Sequence, residues 1–131
     1  MGEGSDNLTR GLAAYKARDY EAAVSELEQA TLKDHENFQA FLYLGAAYAG
    51  AGRHNAAIGA FRRAAELRPD DARTHYNLGQ AYEAAGVPRE ALYEYSRALG
   101  IDPRYTLART AYSSLISRLA RQNAHRMRIS A

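Results

Sequence analysis

The chain matches itself when displaced by 34 residues, and this period constrains its fold more tightly than any other feature. Leu44-Gly45-x-x-Tyr48 returns as Leu78-Gly79-x-x-Tyr82. Gly52 returns as Gly86, Ala57 as Ala91, Phe61 as Tyr95, Ala64 as Ala98 and Pro69 as Pro103. One step backward lies a weaker copy, with Gly11, Tyr20, Ala23, Leu27 and Ala30. The frames are 4–37, 38–71 and 72–105 of a 131-residue chain, followed by a segment from 106 to 131. A period of this length marks supersecondary units that stack, because one unit alone cannot bury its apolar faces.

Each unit reads as two helices joined by a short turn. In the third, Ala72, His75, Tyr76, Leu78, Gly79 and Tyr82 recur at helical spacing. Gly86 stops that helix, and Pro88 suits the first turn of the next, where its missing N–H costs nothing. Ala91, Leu92, Tyr95, Ala98 and Leu99 stripe the second helix, which Asp102-Pro103 ends. The small residues Gly45/Gly79 and Ala57/Ala91 mark close helix approach, and Tyr48/Tyr82 and Phe61/Tyr95 fill the space between units. Behind the third unit, Tyr105 to about Ala120 continues as a helix with Ala108, Ala111, Tyr112, Leu115 and Leu119 on one face. Gln122, Asn123 and Arg126 then occupy the continuation of that stripe, so Arg121–Ala131 is expected to be a frayed or projecting basic extension.

Period and signature together resemble the tetratricopeptide repeat family over residues 4–105. The resemblance implies an all-α, right-handed α-solenoid of three helix-turn-helix repeats, with the segment 106–131 as a C-terminal capping helix plus a basic extension. The first unit departs from the pattern. Asn7 replaces the leading aromatic, Tyr15 is displaced by one place, Arg18 stands for the turn glycine, and His35 for the terminal proline. In the third unit His75 takes the leading aromatic's place and is expected in the core or at a groove edge.

Charge is divided along the chain. Residues 1–103 carry eleven basic and fifteen acidic groups, for a net −4. Beyond them stand six arginines (Arg104, Arg109, Arg118, Arg121, Arg126, Arg128) and no acid. There is no cysteine, which excludes disulfides and thiolate chemistry. His35, His54, His75 and His125 are scattered without metal-ligand spacing, and Ser113-Ser114 has no strand-turn-helix elbow. Neither a phosphate-binding glycine loop nor a catalytic set is present, so no cofactor, metal site or enzyme activity is expected. No apolar run approaches a membrane span, and the acidic start lacks a secretory pattern, making cytoplasmic the default location.

By the resemblance, the first helix of each unit lines a concave groove that binds peptide segments. Carried onto this chain, that groove would offer Leu8, Leu12 and Tyr15, then Leu42 and Tyr43, then Arg73, Tyr76, Asn77 and Gln80. Family members that grip acidic chaperone tails use a clamp of lysines, asparagines and arginine; here its places hold Leu8, Leu12, Tyr43, Arg73 and Asn77. Only Arg73 keeps a charge, which argues against carboxylate capture. The implied function is a protein-interaction module, an adaptor or co-chaperone-like protein, for a partner with hydrophobic anchors. The alternative is a scaffold that self-associates as a homo-oligomer through its end faces and Arg-rich C-terminal helix. Bacterial three-repeat secretion chaperones and multiprotein scaffolds share this outline. The basic tail of Arg109, Arg118, Arg121, Arg126 and Arg128 has few interleaved aromatics, and the acidic body repels phosphate, so nucleic acid is not the expected partner. Met127 and Ile129 make too thin an apolar face for more than a peripheral membrane contact.

Overall fold

Three turns with one geometry set the frame. In each, an N–H reaches back five residues to the preceding helix: Asp19 to the Ala14 carbonyl (2.9 Å), Arg53 to Tyr48 (2.8 Å) and Val87 to Tyr82 (2.9 Å). This closure needs a left-handed residue just before the donor. Gly52 (φ 78°) and Gly86 (φ 81°) supply it, and in the first unit Arg18 does so at φ 62°. The turn that lacked its glycine in the sequence therefore has the same backbone as the other two.

The computed structural model describes residues 3–130, which form α1 (Glu3–Lys16), α2 (Tyr20–Lys33), α3 (Phe38–Gly50), α4 (His54–Leu67), α5 (Ala72–Ala84), α6 (Pro88–Ile101) and α7 (Thr106–Ser130). Among the described residues there are no strands, and no helix is long and apolar enough to cross a membrane. Side-chain caps from Asp19, Asn37 and Asp71 accept from Ala22, Ala40 and Thr74, starting α2, α3 and α5. Pro88 opens α6.

Successive helices pair as hairpins: α1 with α2, α3 with α4, α5 with α6, each pair stacking on the next. The apolar core is a row of patches that cross these boundaries. Ala23, Val24 and Leu27 of the first pair pack with Leu44, Ala47 and Ala60 of the second. Phe38, Leu42 and Phe61 pack with Leu78 and Ala81 of the third. Ala91 and Tyr95 pack with Leu115 of α7, whose Ala108 and Leu115 are buried. Glycine permits the closest approaches: a Cβ on Gly45 would lie 2.6 Å from the Phe61 ring, and one on Gly79 2.5 Å from Tyr95.

One frame position is filled in two ways. In the second unit it holds Phe41, packed against the cluster of Phe38, Leu42 and Phe61, while the matching place on the second helix holds Ala60, in the cluster of the first two units. The equivalent residues of the first unit are Asn7 and Glu26, and Asn7 Nδ2 donates to Glu26 Oε2 at 2.9 Å. Lys33 Nζ donates to the Asn7 side-chain Oδ1 at 2.7 Å. In the third unit His75, 2 % exposed, meets Glu94: Nδ1 lies 2.8 Å from Glu94 Oε1 and Nε2 lies 2.8 Å from the Pro69 carbonyl. Nε2–H donates to the Pro69 carbonyl, and with Glu94 ionised the second ring nitrogen donates to it from the imidazolium form. The Glu94 hydrogen bond raises its pKa above the ordinary histidine value; desolvation opposes this, and the Pro69 carbonyl reinforces it. His75 is thus a core residue with a charged partner.

The C-terminal segment differs from expectation. It is helical to Ser130 rather than frayed after Ala120; Ala131 lies outside the described residues. Residues 121–130 contain neither glycine nor proline. Good helix formers propagate from the packed turns before them without a new nucleation cost. All ten are exposed, so the extension projects, but as a helix.

Candidate functional site

The first helices of the units stand closer to one another than the second helices do. α3 touches both α1 and α5 directly, which puts these helices on the inner side of the curve. Along that side runs a cleft of about 460 Å³, walled by Tyr15 and Tyr20 at one end and by Asn77 and Gln80 at the other. Its floor is Ala46, Ala49, Gly50, Ala81 and Ala84 together with the Phe61 ring, with His54 at the rim. A second cleft of about 660 Å³ continues it, sharing Gln80 and Ala84 and ending on Arg118, Leu119 and Gln122 of α7. The two form one trough spanning the three units and the capping helix.

Aromatic stacking stiffens both ends. Tyr15 meets Tyr20 and Tyr43 edge to face, with ring centroids 5.9 and 5.6 Å apart. Tyr76 packs on Tyr95 (6.0 Å) and Tyr105 (5.4 Å), while Gln80 Nε2 donates to the Tyr76 hydroxyl at 2.8 Å. Burial, helped by the neighbouring Tyr20 and Tyr43, pushes the Tyr15 hydroxyl above the usual tyrosine range; burial does the same at Tyr76 and Tyr105. Burial and the Glu28 carboxylate raise Tyr48, which donates to Glu28 across the first unit boundary, to about 12. These rings stay neutral near pH 7 and act as rigid, apolar walls with a hydroxyl donor.

The charged groups of the trough neutralise each other. Glu83 accepts from the Tyr95 hydroxyl at 2.8 Å through one oxygen and from Arg118 at 2.9 Å through the other. Arg118 therefore fastens α7 to the third unit and does not belong with the free basic tail. Arg109, Arg121, Arg126 and Arg128 are exposed on α7. No group of three or more His, Cys, Asp or Glu able to hold a metal ion occurs among the described residues.

The expected groove residues divide. Tyr15, Asn77 and Gln80 line the trough directly. Tyr43 and Tyr76 support it from behind, through Tyr15 and Gln80. Leu8 is half-buried against the cluster formed by the first two units, and Leu12 is half-buried beside it in α1. Arg73 is exposed and leans to 3.8 Å from Asp71. Leu42 needs correction: at 5 % exposure it belongs to the core with Phe38, Phe61 and Leu78, because α3 turns that face toward α5 and not toward solvent. Tyr20 and His54 were missed. They hold the same frame position, the first of each second helix, and that shared place was the available signal. Glu83 and Gln122 were missed because only the packing of α7 brings them into the trough.

Comparison with known proteins agrees with this architecture. A family model described as "TPR repeat" matches residues 50–86, and one described as "Tetratricopeptide repeat" matches residues 72–105. Superkiller complex protein 3 of Homo sapiens is 31% identical over 88 residues, 67% of this chain; the chain spans only 6% of that protein's length. Among solved structures, the first TPR of Spaghetti (RPAP3) bound to the HSP90 peptide SRMEEVD superposes with a TM-score of 0.85 at 19% identity, covering 90% of this chain and 94% of the other. YrrB, described as a TPR protein with an unusual peptide-binding site, superposes at 0.82 with 25% identity, covering 86% and 58%. Repeat period, turn geometry, cross-unit core and matching family models lead to one assignment: the chain belongs to the tetratricopeptide repeat family.

Proposed function

We propose that the chain is a protein-interaction module that holds a segment of a partner protein in the trough on its inner side. The observation that carries this reading is the continuity of the trough from Tyr15 to Gln122, its first half floored mostly by alanine and glycine with the Phe61 ring among them. A floor made mostly of small residues lets a partner backbone come close, while the Phe61 ring and the tyrosine walls offer broad apolar contact at low rotamer cost. Asn77 and Gln80 supply amide groups for a partner backbone. Peptide binding by RPAP3 and YrrB, both of which share this fold, supports the same reading.

The partner's chemistry follows from the charges. Arg118 is already paired with Glu83, and Arg73 leans toward Asp71, so the trough holds no unpaired cation for a terminal carboxylate. A segment with leucine or aromatic anchors, as an amphipathic helix or an extended strand, suits it better than an acidic tail. Ala49 and Gln80 are exposed, so A49E/Q80E blocks the floor without touching the core. Affinity capture with the intact chain, with A49E/Q80E and with a chain ending after Ala120 tests the reading, once circular dichroism shows equal helicity. Loss of a partner with A49E/Q80E alone is expected. Retention of every partner by A49E/Q80E would sink the trough reading.

A further inference from the structure

Beyond Gln122, which lines the end of the trough, the free end of α7 belongs to neither the trough nor the core. From Arg121 to Ser130 it extends about 15 Å as a helix, every residue exposed. No acidic residue follows Asp102 in the sequence. Arg121, Arg126 and Arg128 form no ion pair among the described residues. At about 100° per residue Arg121 and Arg128 share one side of the helix, about 20° apart, Arg126 lies about 140° from Arg121, and Met127 and Ile129 lie about 160° apart. No side of the extension is apolar, which a flat lipid surface would require.

The complementary charge is at the opposite edge of the same molecule. Hairpin topology places the turns between units on one edge and the turns within units on the other. The between-unit edge carries Asp34, Glu36, Asp70, Asp71 and Asp102. Asp34, Asp71 and Asp102 are occupied with backbone N–H groups, whereas Glu36 and Asp70 form no ion pair among the described residues. Of the nearby cations, Arg68 is laid over the Phe38 ring at 4.4 Å, Lys33 donates to Asn7, Arg63 is held by Glu66 and the His35 carbonyl, and Arg73 leans toward Asp71. Arg104, beside Asp102, forms no ion pair among the described residues, so the acidic surplus of the edge lies at Glu36 and Asp70. α7 starts at this acidic edge, after Asp102, and its 25 residues run about 38 Å to the other edge. A continuous helix cannot turn back, so its basic end reaches such an edge only on another molecule.

We propose that the basic end of α7 docks on the between-unit edge of a second copy of this chain. The contact joins two different patches of the surface, the basic end of one copy and the acidic turns of another. It is independent of what the trough binds.

Sedimentation of the full chain at about 20 mM and about 0.5 M salt tests this, since exposed charge pairs are screened within roughly 3 Å at 1 M and 30 Å at 0.01 M. Wild type is expected to form concentration-dependent species above the 14.5 kDa of one chain at low salt and to return to single chains at high salt. R121E/R126E/R128E and E36K/D70K are each expected to remain single chains, and an equimolar mixture of the two to associate again. A49E/Q80E is expected to associate like wild type. The proposal is overturned by a wild type that stays monomeric at low salt, by a mixture that fails to associate, or by loss of association in A49E/Q80E. It is also overturned if the monomeric wild type binds a labelled nucleic-acid duplex through the same arginines.

Discussion

Arg18 carries a backbone conformation that its two counterparts assign to glycine. Its φ of 62° puts a side chain where L-residues are disfavoured by about 1–2 kcal/mol. Removing that side chain relieves the strain but loosens the unfolded chain by about 0.5–1 kcal/mol. Arg18→Gly is therefore expected to stabilise the protein by about 0.5 kcal/mol, and Gly52→Ala, its mirror experiment, to cost about 1 kcal/mol, both read as shifts in the urea midpoint. The departure at Arg18 was legible in the sequence. That the turn would keep its shape was not, because the Asp19-to-Ala14 hydrogen bond is set by chain geometry whatever residue precedes it. Leu42 is the converse case. Its frame position names a groove residue, and only the way α3 faces α5 shows it to be core.

At the scale of helix pairs, the His75–Glu94 contact makes stability depend on pH. The folded pKa of His75 lies above the unfolded value of 6.5, so the protonated form is favoured by folding. Its stabilising contribution is complete below about pH 6.5 and is lost as pH rises through the higher folded value. A denaturation series from about pH 6 to pH 9 is expected to show declining stability. Transplanting the middle unit's solution, H75F/E94A, is expected to flatten that decline while holding stability within about 1 kcal/mol of wild type; H75F alone leaves the Glu94 carboxylate buried without its partner and costs about 3 kcal/mol. The helical frames themselves were legible, because a 34-residue offset aligns glycines, alanines and aromatics that each do one job. The polar pairs were only half legible. Asn7 and His75 stood out as departures, but Glu26 and Glu94 gain their meaning from a second helix folded against the first.

For the whole molecule, α7 has two halves with separate consequences. Leu115 is 1 % exposed between α6 and α7, so Leu115→Ala is expected to cost about 2–4 kcal/mol in chemical denaturation. Ending the chain after Ala120 removes the exposed residues 121–130 together with Ala131, and is expected to change stability by less than about 0.5 kcal/mol. The capping half was visible as an apolar stripe. The trough it completes was not, since Glu83, Arg118 and Gln122 meet only once the third unit and α7 are packed. The alternation of polar and apolar pairs along the units also bears on how the chain finds its fold. Look-alike repeats can dock one period out of step, and a slipped intermediate would satisfy most small and aromatic positions equally well. Here a one-unit slip would set Phe41 against Glu94, or His75 against Ala60, burying a charge without its partner. Asn7–Glu26 and His75–Glu94, with the apolar Phe41 and Ala60 at the matching places of the middle unit, thus act as keys of different cut, by which each first helix recognises its own second helix among near-copies.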